Sequence, residues 1–122
     1  MCTQNRRVIA VVDDDPGVRE SLQFLLETVG YTVETYESGL RFLSAASPAR
    51  LACLVLDQQM PLATGLETLA QLRARGVTTP TLLVTSMPGP ALVERVAALG
   101  GTVLEKPLVQ DDLLAAIEAS LA

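Results

Sequence analysis

Histidine and tryptophan are absent from the 122 residues, and only four aromatic side chains occur. Without histidine, Ser-His-Asp and Cys-His catalysis, histidine metal sites and a phosphohistidine carrier are all excluded. The aromatics Phe24, Tyr31, Tyr36 and Phe42 lie in the first part of the chain, so the remainder must pack with Leu, Val and Ala. Lysine is nearly absent too, because Lys106 is the only lysine among nine basic residues. The net charge of -5 excludes nucleic-acid binding by this domain through phosphate neutralisation. No apolar run approaches the roughly 20 residues of a membrane helix. Behind Arg6 and Arg7, the run Val8–Val12 is cut off by Asp13, Asp14 and Asp15, too short for a signal-peptide core. A cytoplasmic protein without a membrane partner is expected. Its two cysteines, Cys2 and Cys53, make no disulfide framework and read as free thiols.

What is present suits a well-packed globule, with 49% apolar and 19% charged residues. The length predicts one domain over 1–122, with 1–6 as a short tail. Five strand-length runs recur, at Val8–Val12, Thr32–Tyr36, Leu51–Leu56, Thr81–Val84 and Thr102–Leu104. The first, third and fourth are continuously apolar, as in a parallel sheet covered on both faces. Helical patterns fill the intervals. Val18, Leu22, Leu25 and Val29 form one stripe, opened by Asp15-Pro16 and closed by Gly30. Ser38 to Ala46 is a shorter second helix, and Leu66, Leu69 and Leu72 mark a third ending near Gly76. Leu92, Val93, Val96 and Leu99 mark a fourth before Gly100-Gly101, and Leu113, Leu114, Ile117 and Leu121 a fifth that runs to the end. Strict alternation predicts an α/β fold with a parallel sheet.

Open parallel sheets bind ligands beyond the carboxyl ends of their strands. Asp13, Asp14 and Asp15 follow the first predicted strand and Asp57 the third; Thr85 and Ser86 follow the fourth, and Glu105, Lys106 and Pro107 the fifth. Singly, most have plainer readings. Asp15 before Pro16 is a helix cap, Asp13 and Asp14 are turn residues, and Lys106 is a solvated charge. Asp57 differs, since a carboxylate ending a buried apolar strand needs a partner. Crowded carboxylates repel one another unless a cation is present, and Mg²⁺ is the usual choice where a few carboxylates meet a phosphate. Asp57 can then act as a carboxylate nucleophile towards phosphorus, with Lys106 and the Thr85 hydroxyl neutralising and positioning.

The joint pattern resembles the receiver (CheY-like) domain of two-component response regulators. It is carried by Val11-Val12-Asp13-Asp14-Asp15, Leu54-Val55-Leu56-Asp57 with Met60-Pro61 and Gly65, Val84-Thr85-Ser86, and Glu105-Lys106-Pro107, in family order from Arg7 to Leu121. Val12 to Leu26, with Pro16, Arg19-Glu20-Ser21 and Leu25-Leu26, looks most like the FixJ-like branch. The resemblance implies a single doubly wound (βα)5 flavodoxin-like domain with parallel strand order 2-1-3-4-5. It implies Asp57 as phosphoacceptor from the histidine of a sensor kinase. Asp14 and Asp57 are then side-chain ligands of Mg²⁺, Gln59 a backbone-carbonyl ligand, and Asp13 acts through water. Thr85 matches the switch hydroxyl and Lys106 the lysine that pairs with the phosphoryl group. A cis Lys106-Pro107 bond is implied as well. The output expected is a changed face of the fourth helix, fifth strand and fifth helix. That face would form a homodimer or control transcription through a C-terminal DNA-binding domain absent from this chain. Catalysis would be limited to the domain's own phosphotransfer and dephosphorylation.

Several positions depart from the family. Val103 stands where an aromatic usually sits, the interval from Gly100 to Lys106 is one residue short, and Pro88-Gly89-Pro90 is a stiff entrance to the fourth helix. Val109 occupies a usual Ser, Thr or Asp cap. Two other readings compete. A stand-alone or phosphate-independent pseudo-receiver gains from Val103 but not from the complete set Asp14, Asp57, Thr85 and Lys106. A small aspartyl phosphohydrolase would carry its nucleophile after the first strand, beneath a cap domain, whereas Asp57 follows the third.

Overall fold

The computed structural model describes residues 7–45 and 47–121. The tail 1–6 with Cys2, and the predicted end of the second helix at Ala46, lie outside the described residues. The elements run β1 (Val8–Val12), α1 (Pro16–Thr28), β2 (Thr32–Tyr36), α2 (Gly39–Ala45), a 3-10 turn (Pro48–Arg50), β3 (Cys53–Asp57), α3 (Gly65–Ala74), β4 (Thr81–Thr85), α4 (Pro90–Ala98), β5 (Thr102–Glu105) and α5 (Gln110–Leu121). All strand pairings are parallel, in the predicted order β2-β1-β3-β4-β5.

Successive strand residues point to opposite faces, which splits the apolar runs between two cores. Ala10, Val12, Leu54, Leu56 and Leu83 pack with Phe42 of α2, Leu66, Leu69 and Leu72 of α3, and Val96 of α4. Ile9, Val11, Cys53, Val55, Leu82 and Val84 pack with Leu22 and Leu26 of α1 and Leu113 and Ile117 of α5. The domain is therefore doubly wound, with α2, α3 and α4 on one face and α1 and α5 on the other.

Local chemistry sets the helix ends. The Asp15 carboxylate accepts from the amides of Gly17 and Val18 and caps α1 ahead of Pro16. Thr64 and Glu67 form a reciprocal capping box on α3, which holds the loop after β3 to that helix. Gly30, Gly76 and Gly100, at φ 106, 79 and 76, turn the chain left-handed after α1, α3 and α4.

Several expected bounds need correction, among them those of β4 and β5, which each run one residue further and so include Thr85 and Glu105. β3 starts at Cys53, not Leu51, because the 3-10 turn delivers Leu51 to the core before the ladder begins. It also runs one residue further, so Asp57 itself ends the strand. In α1 the fully buried residue is Leu26, while Val29, placed in the stripe, caps the helix and is exposed.

Candidate functional site

The strand ends deliver their polar residues to one rim. Asp13 follows β1, where its backbone amide donates to the Tyr36 carbonyl and its Oδ1 accepts from the Asp15 amide at 2.9 Å. Asp57 ends β3 and is 4% exposed. Thr85 ends β4 and is fully buried, and the Lys106 amide donates to its carbonyl at 2.8 Å, which ties the start of the β5–α5 loop to β4. The Lys106-Pro107 bond is cis, as expected.

Three acidic side chains converge there, with ligand atoms of Asp13, Asp14 and Asp57 all within 4.8 Å of one another. Asp13 and Asp57 are buried, and Asp14 is open to solvent. Lys106 Nζ lies 2.8 Å from Asp57 Oδ1. That oxygen is buried, and the Lys106 ammonium is the cation paired with it. Burial pushes the Asp13 carboxyl above its ordinary range; the Asp15 amide opposes this, while the charges of Asp57 and Asp14 add to it. For Lys106, burial works against the charged form but is outweighed by Asp57, with help from Asp13 and Asp14, so its ammonium is held above its ordinary range.

Residues 9–118 match the response regulator receiver domain family. The chain belongs to that family. It is 40% identical over 114 residues to the transcriptional regulatory protein FixJ of Azorhizobium caulinodans, covering 93% of this chain and 54% of FixJ. The receiver domain thus spans about half the length of that relative. The chemotaxis protein CheY4 of Vibrio cholerae superposes with a TM-score of 0.87 at 30% identity, covering 95% of this chain and 99% of CheY4. Full-length FixJ from B. japonicum gives a TM-score of 0.84 at 34% identity, covering 94% of this chain and 57% of that structure. Response regulators are signalling proteins of two-component systems rather than classical enzymes. No helix among the described residues is long and apolar enough to cross a membrane.

The donor set fits the divalent cation that receiver domains use. Three carboxylates, two of them buried, bring hard oxygen ligands within 4.8 Å of one another. All the residues singled out from the sequence, Asp13, Asp14, Asp57, Gln59, Thr85 and Lys106, belong to this rim or its loops. Ser86 and Glu105 are exposed and take no part in the acidic cluster. Two further residues support the site without a role in it assigned from the sequence. Arg19 on α1 donates from Nη1 to the Asp13 carbonyl at 2.7 Å and steadies the acidic loop. Gln58, next to Asp57, accepts from the Leu66 amide at 2.8 Å and binds that loop to the start of α3. An arginine one turn into a helix that follows an acidic strand end, within the Arg19-Glu20-Ser21 segment of the resemblance, is the signal for the first.

Proposed function

We propose that this domain is the phosphorylatable switch of a two-component phosphorelay, accepting a phosphoryl group on Asp57 from the histidine of a sensor kinase. In the transfer an Asp57 carboxylate oxygen forms the new O–P bond while the N–P bond of the phosphohistidine breaks, its electron pair returning to the imidazole. The observation that carries this reading is a buried carboxylate with a lysine at 2.8 Å and two further aspartates whose ligand atoms lie within 4.8 Å. Asp14 and Asp57 by their side chains, Gln59 by its carbonyl and Asp13 through water would hold Mg²⁺, which supplies charge neutralisation for the carboxylates and the phosphoryl oxygens. Lys106, a compact point charge, is close enough to pass from the carboxylate to the arriving phosphoryl group. The Thr85 hydroxyl donates to a phosphoryl oxygen and carries the change into the loop before α4.

The output follows from that loop. A changed α4-β5-α5 face would alter a homodimer contact or an effector domain outside this chain. The similarity to a transcriptional regulatory protein favours a DNA-binding effector and control of transcription. Treatment with acetyl phosphate and Mg²⁺, read by mass spectrometry, tests the proposal. One phosphate on the wild type, none on Asp57→Asn and none in EDTA is expected. An unlabelled wild type would instead favour the phosphate-independent interaction module.

A further inference from the structure

The Thr85 hydroxyl is fully buried, yet both of its hydrogen bonds lead out of β4. It accepts from the Met87 amide at 3.1 Å and donates to Gln59 Oε1 at 3.3 Å. A hydroxyl has one proton to give. Here that proton is committed to Gln59, two residues beyond Asp57 on the β3–α3 loop. Gln59 is exposed, so burial does not force its side chain towards Thr85. The Thr85 contact orients it.

We propose that Gln59 is a latch on the switch hydroxyl, a positioning residue whose side-chain carbonyl holds the single Thr85 proton until a phosphoryl oxygen on Asp57 takes it. This rests on the phosphoacceptor reading above. The two acceptors compete for one donor, so any phosphoryl contact made by Thr85 must first break the bond to Gln59. The other bond gives the release a direction. The Met87 amide donates to the same oxygen, and Met87, 74% exposed, is the second residue of the loop into α4. A hydroxyl that leaves Gln59 for the phosphoryl group pulls on that amide and hence on the loop. Gln59 thereby sets how readily the phosphorylated site engages its output, a role separate from its main-chain carbonyl.

Beryllofluoride binding at saturating Mg²⁺, followed by titration of amide chemical shifts, tests the latch without turnover. The comparison is wild type, Gln59→Ala, Gln59→Met (which keeps length but loses the acceptor), Thr85→Val and the double variants. Releasing one solvent-accessible hydrogen bond should tighten beryllofluoride binding by about twofold to tenfold in both Gln59 variants. The gain should vanish in the Thr85→Val background, as a double-mutant cycle requires of a direct coupling. Unchanged or weaker binding by both Gln59 variants overturns the latch, and so does an equal gain when Thr85 is already Val. If the wild type fails to bind beryllofluoride at all, the phosphoacceptor reading falls with it. If the wild type binds and the Gln59 variants match it, only the latch falls.

Discussion

Lys106 Nζ lies 2.8 Å from Asp57 Oδ1, and the two residues differ in burial, the lysine side chain being 32% exposed and the aspartate 3%. The pair is therefore asymmetric. Removing the lysine strands a buried charge, whereas removing the aspartate leaves an ammonium that can turn to water. Lys106→Met should destabilise the Mg²⁺-free domain by about 1–3 kcal/mol, less than a fully buried pair because the lysine is partly solvated. Asp57→Asn added to Lys106→Met should recover most of that loss. Urea unfolding in EDTA measures both; a double variant no more stable than Lys106→Met would show that the lysine acts through packing.

The Asp13 carboxyl, raised mainly by burial, gives a pH dependence of defined sign. A carboxyl whose folded-state pKa exceeds its unfolded value favours the native state when protonated, so its cost is absent below about pH 4 and complete above the raised value. Asp13→Asn keeps an oxygen to accept from the Asp15 amide and removes the charge. In EDTA at pH 7 it should raise the melting temperature by about 2–6 °C, with the gain shrinking as pH falls below 4. A gain that is constant across pH would assign the effect to something other than ionisation.

Cation removal should act on the same cluster. With Asp13, Asp14 and Asp57 sharing one small volume, a divalent ligand of the native state stabilises by mass action. Wild type in about tenfold excess of Mg²⁺ over its Kd should gain about 1.4 kcal/mol over EDTA. Asp14→Asn should lose most of that gain, because Asp14 is the exposed member and little else in the fold depends on its charge. Thermal scans with Mg²⁺ and with EDTA make the comparison.

Gly65 shows how tightly the fold grips the phosphoacceptor loop. A Cβ there would sit 2.5 Å from the Asp57 carbonyl oxygen and 3.0 Å from Gln58 Cα, both main-chain atoms. Gly65→Ala should cost about 1–3 kcal/mol and displace the loop after Asp57, so phosphorylation should fall with stability. Gly89→Ala, with nothing near its Cβ, is the control and should change neither.

Most of this architecture was legible in the chain, for a physical reason. Parallel strands buried on both faces leave continuous apolar runs, and polar residues at their ends must meet at one rim. The first strand accordingly begins and ends where its apolar run does, and Asp57 stands out as an acid ending an apolar run. Illegible features depend on distant partners. Leu51 reads as strand because an apolar residue entering the core from a 3-10 turn looks the same in one dimension. Arg73, which donates to the carbonyls of Leu99, Val77 and Thr79 and ties α3 to the end of α4, reads locally as a solvated charge. The resemblance implies a role for the Gln59 main chain only, whereas its side chain meets a residue 26 positions away.

Signal exit is the last expected outcome. Val103 is half-buried against the α2-α3-α4 core, has no polar tip and cannot swing between two environments as an aromatic could. The movable part is elsewhere. In α4 only Val96 is buried, the Gly89 cap offers no side-chain bond, and the preceding loop exposes Met87. Arg73 meanwhile holds the Leu99 carbonyl at 2.6 Å, fixing the far end of α4. A helix pinned at its C-terminus and loose at its N-terminus should pivot when the Thr85 hydroxyl pulls on Met87. Beryllofluoride should therefore alter amide exchange in residues 86–95 and leave α1 and α2 unchanged. Thr85→Ala should still accept phosphate on Asp57 but lose the exchange difference and any dimerisation seen by sedimentation. Val103→Ala should keep both, since no rotamer change at that position is required. If exchange changes in α1 or α2 instead, or if Val103→Ala abolishes the response, the signal leaves the site by a route other than the loop before α4.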